Sequence, residues 1–325
     1  MFSIGIDLGG TKAAGALVSA KGQVLKEIKI QLQINSQQSV TAKKKHLQTI
    51  LVELTKVLAT EGKIKAQICG IGLISAGPLN VDRGILIHPA NLKGFGLYPI
   101  VKEFQEGLKK AGLKFPVFFQ NDAIGAAFGE RWVGGARGLE TFAVVTVGTG
   151  IGTGVIFNGR PCQSEGMGSE FGHLIVDFNR AQISGVSFKK KESRRSALES
   201  MKRGTVEGLA SGTALFERAR NELDLEGENL EEILKFHKSA LNPLFEEASY
   251  ALAALFYNLS MGLHLQKILI SGGMVKIQKR FLPKAIQIYQ NWIKARNPAF
   301  YCPVQVAKLK DRAGLLGAAC LPFTQ

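Results

Sequence analysis

One short unit occurs twice in this chain, and it narrows the folds open to it. Ser3 to Asp7 is an apolar strand, Gly9-Gly10-Thr11 turns it, and Ala13 to Val18 returns as a second strand ending in the turn signal Lys21-Gly22. The pattern restarts at Thr141: a strand to Val147, the loop Gly148-Thr149-Gly150-Ile151-Gly152, a returning strand at Val155 to Phe157, and the hairpin signal Asn158-Gly159. A repeat on the scale of a domain implies two similar lobes, each opening on a hairpin with a Gly/Thr turn. With 325 residues, 46% of them hydrophobic, there is enough apolar material for two cores.

Between and after the two units, strands alternate with helices. Val40 to Thr60 carries Leu47, Ile50, Leu51, Leu54, Val57 and Leu58 at helical spacing. Ile68 to Ile74 reads as a buried strand closed by Ser75-Ala76-Gly77-Pro78, and Ile100 to Ala111 as a helix. Pro116 to Gln120 is a strand that runs into Asn121-Asp122 and a helix to Trp132. In the second half, Asn242-Pro243 caps and opens a long helix, Lys267 to Ser271 is a strand ending in Gly272-Gly273, and Ala313 to Leu321 is a final helix. The class is α/β.

A strand ending in Gly9-Gly10-Thr11-Lys12 can aim backbone N–H groups at a phosphate, and Thr11 adds a hydroxyl. Gly148 to Gly152 offers the same chemistry from the second lobe. Alone, either loop is no more than a tight hairpin; the pair points to an anion held twice. No Gly-x-x-x-x-Gly-Lys-Ser/Thr loop is present, and the first glycine turn lacks Gly-x-Gly-x-x-Gly and leads into a strand rather than a helix, which argues against a dinucleotide-binding unit. Asp7 can hold Mg²⁺, directly or through water, or simply close the turn.

Asp122 follows a strand, and a carboxylate at the C-terminal end of a strand faces the crevice of an α/β sheet. It is the candidate to accept a hydroxyl proton during phosphoryl transfer; the competing reading is an N-cap for the helix from Ala123. Glu170 and His173, two residues apart in a Gly-flanked turn, can point one way and hydrogen-bond adjacent sugar hydroxyls. Glu207, before Ala210-Ser211-Gly212, can join them or be an exposed helical Glu.

Together these segments resemble the ROK family of sugar kinases and sugar-responsive repressors, within the actin-like ATPase superfold. They are Gly5 to Lys12, Gly77-Pro78 with Asn91-Leu92-Lys93-Gly94-Phe95, Asn121-Asp122-Ala123 and Gly148 to Gly152. Glu170-Phe171-Gly172-His173, Glu207 with Ala210-Ser211-Gly212, Ser271-Gly272-Gly273 and Leu315 to Ala319 follow in the same order. The resemblance implies a two-lobed, ribonuclease H-like α/β fold with a central mixed sheet in each lobe and the active site in the cleft. The lobes are expected at 1–119 plus about 312–325, with the last helix packed back on the first lobe, and at 120–311. It implies ATP-dependent phosphorylation of a free hexose, glucose first, with a kinase for N-acetylmannosamine, N-acetylglucosamine or fructose as the alternative and a non-catalytic sugar sensor behind these. By resemblance Asp122 is the base for the sugar 6-hydroxyl. Asn121, Glu170, His173 and Glu207 bind other hydroxyls, and Asn91 with the Gly77 backbone helps hold the ring. Asp7, Gly9, Gly10, Thr11, Lys12, Thr146, Gly148, Thr149 and Gly150 serve Mg²⁺ and the phosphates, and Gly272-Gly273 lies near adenosine. A homodimer working in carbohydrate metabolism and glycolysis is also implied.

One departure stands out. The family carries a Cys-x-Cys…Cys cluster before the second sugar-binding Glu, which with the His of the Glu-x-Gly-His motif holds a structural zinc. Counting back from Glu207, those positions are Leu198, Ser200 and Thr205, none of which offers a thiolate, so no zinc is expected. The stretch 178–203 reads as a basic insertion.

The four cysteines, Cys69, Cys162, Cys302 and Cys320, form no Cys-x-x-Cys pair and suggest a reducing cytoplasm. No apolar run is long enough for a spanning helix, and the N-terminus shows no signal-peptide pattern. The net charge of +15 suits an anionic partner, ATP foremost and inorganic polyphosphate as a further donor. The basic runs are short, lack interleaved aromatics and match no DNA-binding module, so no nucleic-acid partner is expected.

Overall fold

The computed structural model describes residues 1–34, 37–60, 67–89, 91–181 and 191–324, the side chains of 191–195 apart. The chain runs β1 (Phe2–Leu8), β2 (Lys12–Ser19), β3 (Val24–Gln31), α1 (Val40–Ala59), β4 (Ile68–Ser75), and the short strands β5 (Leu79–Asn80), β6 (Ile85–Ile87) and β7 (Leu97–Tyr98). Then come α2 (Ile100–Lys110), β8 (Val117–Asn121), α3 (Asp122–Val133), β9 (Phe142–Val147), β10 (Ile151–Phe157) and β11 (Arg160–Pro161). The helices α4 (Lys191–Lys202), α5 (Val206–Ala210), α6 (Gly212–Leu223), α7 (Leu230–Phe236) and α8 (Asn242–Leu263) follow. The chain closes with β12 (Lys267–Ser271), α9 (Leu282–Arg296), β13 (Val304–Val306) and α10 (Ala313–Cys320). Two compact units are present: Met1–Glu140 with Gly154–Ser169 and Ala307–Gln325, and Thr141–Thr153 with Glu170–Val306. Part of the basic stretch 178–203, namely 182–190 and the side chains of 191–195, lies outside the described residues.

In the first unit the main sheet has the order β3-β2-β1-β4-β8. β1, β2 and β3 form an antiparallel meander, and β4 and β8 add to β1 in parallel. Period-two alternation gives β1 two different faces. Ile4, Ile6 and Leu8 join the apolar cluster built with Leu47, Leu51, Leu54 and Leu58 of α1 and Phe104 and Leu108 of α2. Ser3 and Gly5 face the other way, onto α10: the Ser3 hydroxyl donates to the Ala319 carbonyl at 2.6 Å, and a Cβ on Gly5 would meet Ala319. The register pairs Leu8 with Ser75 and Ser75 with Asn121, so three parallel strands end side by side at the residues that carry the candidate chemistry.

α10 sits so close to α3 and β4 that only glycine fits at the crossings. A Cβ on Gly317 would lie 1.6 Å from the Gly125 carbonyl oxygen, and one on Gly72 would lie 1.8 Å from that of Ala318. Backbone cannot retreat as a flexible side chain can. Gly317→Ala is therefore expected to cost at least about 2–3 kcal/mol, read as a lowered unfolding midpoint in urea.

In the second unit β12 pairs in parallel with both β9 and β13. α8 and α9 pack beside this sheet around Phe256 and Tyr289, whose buried hydroxyl hydrogen-bonds Ser260 at 2.7 Å and donates to the Cys302 carbonyl at 3.1 Å. The turn expected to be capped by Asn242 is built differently. Leu241 holds the cap position without a side-chain bond, and the Asn242 amide oxygen accepts from Arg280 at 2.9 Å.

Candidate active site

The first glycine loop closes on itself with one bond, Gly9 N–H to the Lys12 carbonyl at 3.0 Å. Among the described residues, the N–H groups of Gly10 and Thr11 and the Thr11 hydroxyl have no partner. A Cβ on Gly10 would come 2.8 Å from the Asn91 carbonyl oxygen, so glycine lets the Asn91 segment lie against the loop. The Asn91 side-chain oxygen is buried with no hydrogen-bond partner among the described residues. A buried polar atom left unpaired costs free energy that a bound donor recovers.

Asp7, at the end of β1, and Asp122, at the start of α3, are close enough to repel. Both keep some accessible surface, yet the protein around them is dense. Asp7 is pushed up to about 6, chiefly by desolvation, then by the Asp122 charge, with Lys12 opposing. Desolvation likewise raises Asp122, against the pull of N–H groups. One Asp122 oxygen, Oδ1, accepts the Ala123 N–H at 2.8 Å; Oδ2 has no hydrogen bond among the described residues. The helix cap is Asn121, whose Oδ1 accepts from Ala123 at 2.9 Å and from Ile124 at 3.2 Å. Asn121 itself is fixed by its N–H, which donates to Gln120 Oε1 at 2.7 Å. Its amide nitrogen makes no hydrogen bond among the described residues. Gly77 stands between β4 and β5, joined to Pro78 by a cis peptide bond.

In the second unit the loop between β9 and β10 repeats the design. Gly148 N–H donates to the Gly150 carbonyl at 2.9 Å, and Thr149 and Gly150 keep their N–H groups without partners among the described residues. The Gly148 carbonyl accepts Gly212 N–H at 2.7 Å, which ties the loop to the start of α6. The Thr146 hydroxyl is spent inside the hairpin, on the Gly152 carbonyl at 3.2 Å. Glu207 reaches the loop as well: its Oε2 accepts Ile151 N–H at 2.9 Å. Gly272, at φ +94°, follows β12, and a Cβ there would lie 2.4 Å from the Val147 carbonyl oxygen.

Beside this loop lies a cavity of about 380 Å³. Gly148, Thr149, Thr213 and Gly273 line one part of it, and Phe216, Leu230, Met274 and Ile277 supply apolar walls. A mostly apolar slot ending on free loop N–H groups suits a flat ring joined to phosphates. The sequence reading reached Gly272-Gly273 here but missed Thr213, Phe216, Met274 and Ile277. Their apolar members stand at helical spacing, which by itself signals core.

Glu170 precedes the short 3-10 turn Phe171–His173 and His173 ends it, and both are exposed. Gly172 presses this turn onto β10, since a Cβ there would lie 2.0 Å from the Ile151 carbonyl oxygen, and the Phe171 N–H donates to the Thr153 hydroxyl at 3.0 Å. Zinc does not fit the neighbouring residues. Leu198 is an exposed carbon side chain, and the Thr205 hydroxyl is occupied, donating to Lys202 and capping α5 at Gly208 N–H. No group of three or more His, Cys, Asp or Glu side chains among the described residues could hold a metal ion.

The first unit thus gathers Asp7, Gly9, Gly10, Thr11, Lys12, Asn91, Asn121 and Asp122. The second gathers Thr146, Gly148, Thr149, Gly150, Glu207, Gly272 and Gly273. Comparison with known proteins adds breadth. The N-acetylmannosamine kinase of Haemophilus influenzae is 28% identical over 98% of this chain and 94% of its own length. The glucokinase of Halalkalibacterium halodurans is 26% identical over the same shares. The crystal structure of the ROK hexokinase from Thermus thermophilus is 26% identical and superposes with a TM-score of 0.76, covering 100% of this chain and 98% of that one. The fold is that of the actin-like ATPases, as the sequence motifs imply. With the ROK family profile matching residues 3–324, the chain belongs to the ROK family.

Proposed function

We propose that this protein is a sugar kinase that transfers the terminal phosphoryl group of ATP to the 6-hydroxyl of a free hexose, glucose first. The observation that carries this reading is Asp122: desolvated, raised, with Oδ1 held by Ala123 N–H and Oδ2 without a hydrogen bond among the described residues. A raised carboxylate is a stronger base toward a hydroxyl than an ordinary one. Asp122 takes the hydroxyl proton as the sugar oxygen bonds to the terminal phosphorus, and the bond from that phosphorus to the bridging oxygen breaks to leave ADP. The N–H groups of Gly10 and Thr11 in the first unit, and of Thr149 and Gly150 in the second, without partners among the described residues, are each suited to a phosphate. The cavity walled by Phe216, Met274 and Ile277 is suited to the adenine ring. Asp7, an oxygen donor without a hydrogen-bond partner among the described residues, is chemically suited to Mg²⁺, which would neutralise phosphate charge when bound. Asn91, whose side-chain oxygen has no partner among the described residues, and Asn121, Glu170 and His173 are the proposed hydroxyl ligands.

The two whole-chain relatives differ in their sugar, so an N-acetylated hexosamine is the second reading. A coupled assay of glucose, mannose, fructose, N-acetylmannosamine and N-acetylglucosamine with ATP separates them. We expect the highest kcat/KM with glucose, and preference for either N-acetylated sugar would overturn that choice while leaving the kinase reading intact. Inorganic polyphosphate in place of ATP belongs in the same panel. We place the work in the cytoplasm, a proposal supported by four cysteines that form no disulfide.

A further inference from the structure

The loop from Cys162 to Ser169 is strained and tightly braced. Glu165 and Ser169 stand in the left-handed region at φ 53° and 58°, and Gly166 and Gly168 accompany them at 90° and 125°. Such strain persists only where the surroundings over-determine the backbone. Here the braces are all within the first unit. The Ser169 hydroxyl donates to the Cys162 carbonyl at 2.7 Å, and the amide nitrogen of buried Asn80 donates to Glu165 Oε2 at 2.7 Å. The Val81 N–H donates to the Glu165 carbonyl at 2.8 Å, and a Cβ on Gly166 would lie 2.3 Å from the Val81 side chain. The side chain that this fixed loop presents to β8 is Gln163.

Gln163 Nε2 donates to Gln120 Oε1 at 3.1 Å. The same oxygen accepts the Asn121 N–H at 2.7 Å. Gln120 is buried, its amide nitrogen has no partner among the described residues, and its side chain borders a cavity of about 630 Å³. Nothing else among the described residues therefore fixes which way this amide faces. Turned end for end, it would set its own N–H groups against the Asn121 N–H, donor against donor. Two donors converging on Oε1 hold the productive orientation. The Gln163 amide oxygen, meanwhile, is buried with no partner among the described residues. A contact that leaves a buried acceptor unpaired gains little for folding, so its consequence belongs to the site it reaches.

We propose that Gln163 is a positioning residue for the sugar: by donating to Gln120 it fixes the amide that holds the Asn121 backbone, and so sets where the Asn121 side-chain nitrogen meets a hydroxyl. Asn121 Oδ1 is committed to the Ala123 and Ile124 N–H groups, so Nδ2 is the end left for a ligand, and its direction follows the backbone at 121. This rests on the reading of Asn121 as a hydroxyl ligand, and the test separates the two.

The experiment measures the dissociation constant for the sugar preferred in the coupled assay, by calorimetry, together with KM for ATP and the thermal midpoint. Gln163→Glu keeps the shape but can only accept, so it draws the Gln120 amide nitrogen toward itself and leaves the Asn121 N–H unpaired. It is expected to weaken sugar binding on the order of tenfold. Gln163→Met, which removes the donor without reversing it, should weaken binding less, about threefold. KM for ATP should stay within about twofold in both. Gln120→Met should match Gln163→Glu, and the double variant Gln120→Met with Gln163→Glu should be no worse than Gln120→Met alone, because Gln163 acts through Gln120. Unchanged sugar binding in Gln163→Glu, losses that add in the double variant, or an equal rise in KM for ATP would each overturn the proposal. A lowered thermal midpoint with unchanged sugar binding assigns Gln163 a purely structural role and also overturns it. Asn121→Asp keeps the cap oxygen and removes the Nδ2 donor. If it leaves sugar binding unchanged, the reading of Asn121 fails and the proposal with it; if it weakens binding while Gln163→Glu does not, only the role of Gln163 fails.

Discussion

Asp122→Asn is expected to lower kcat by about 10³- to 10⁴-fold, the upper range for loss of a positioned general base, while the dissociation constant for sugar changes only a few-fold. The amide keeps the shape and the Oδ1 bond to Ala123 N–H. Helix α3 keeps its cap, because Asn121 accepts from the Ala123 and Ile124 N–H groups whichever residue stands at 122. The loss should therefore be one of chemistry, visible as a fallen kcat in a coupled assay with unchanged sugar binding by calorimetry. The pH dependence has a definite sign. Desolvation raises Asp122, so the base loses its charge at a higher pH than an ordinary carboxylate. The acidic limb of kcat/KM should lie above the usual carboxylate range, and Asp122→Asn should remove that limb from whatever activity remains.

Asp7→Asn is expected to do two opposite things: to reduce activity severely and to make the ligand-free protein more stable. Asp7 is raised from 3.8 to about 6. A folded-state value above the unfolded one means that ionised Asp7 opposes folding. The penalty is fully present above about pH 6, shrinks as pH falls through 6, and is gone below 3.8. A shift of that size corresponds to up to about 3 kcal/mol at neutral pH, or a rise of several degrees in thermal midpoint for a chain of this length. The midpoint of Asp7→Asn should exceed that of wild type at pH 8, and the two should converge near pH 4. A lower midpoint at pH 8 would mean that Asp7 is a structural hydrogen-bond acceptor, not a carboxylate held ready for a cation. Stability sacrificed at a functional site is expected where two carboxylates are desolvated side by side.

Much of this arrangement is legible in the sequence because it is local. The two Gly/Thr hairpins, the strand before Asn121-Asp122 and the helical spacing from Val40 onward are written in runs of neighbouring residues. Asn158 and Gly159 carry positive φ (49° and 76°), as a type I′ hairpin turn demands. What escapes is set by tertiary contact. Sequence leaves Glu207 between an exposed helical Glu and a sugar ligand, since its bond to Ile151 joins residues 56 positions apart. The caps at Asn121 and Leu241 depend on where each helix begins within one residue, which composition does not fix. The strands β5, β6 and β7, two or three residues long, are shorter than any alternation can reveal. Phe216, Met274 and Ile277 look like core residues until the cavity beside Gly148 gives them an opening.

The most direct test of the account is a ³¹P NMR time course with the purified protein, ATP, Mg²⁺ and glucose. The account predicts that glucose 6-phosphate and ADP appear in equal amounts with wild type, and that neither appears at a comparable rate with Asp122→Asn. ATP consumed without a sugar phosphate, no transfer to any sugar of the panel, or near-normal transfer by Asp122→Asn would contradict it.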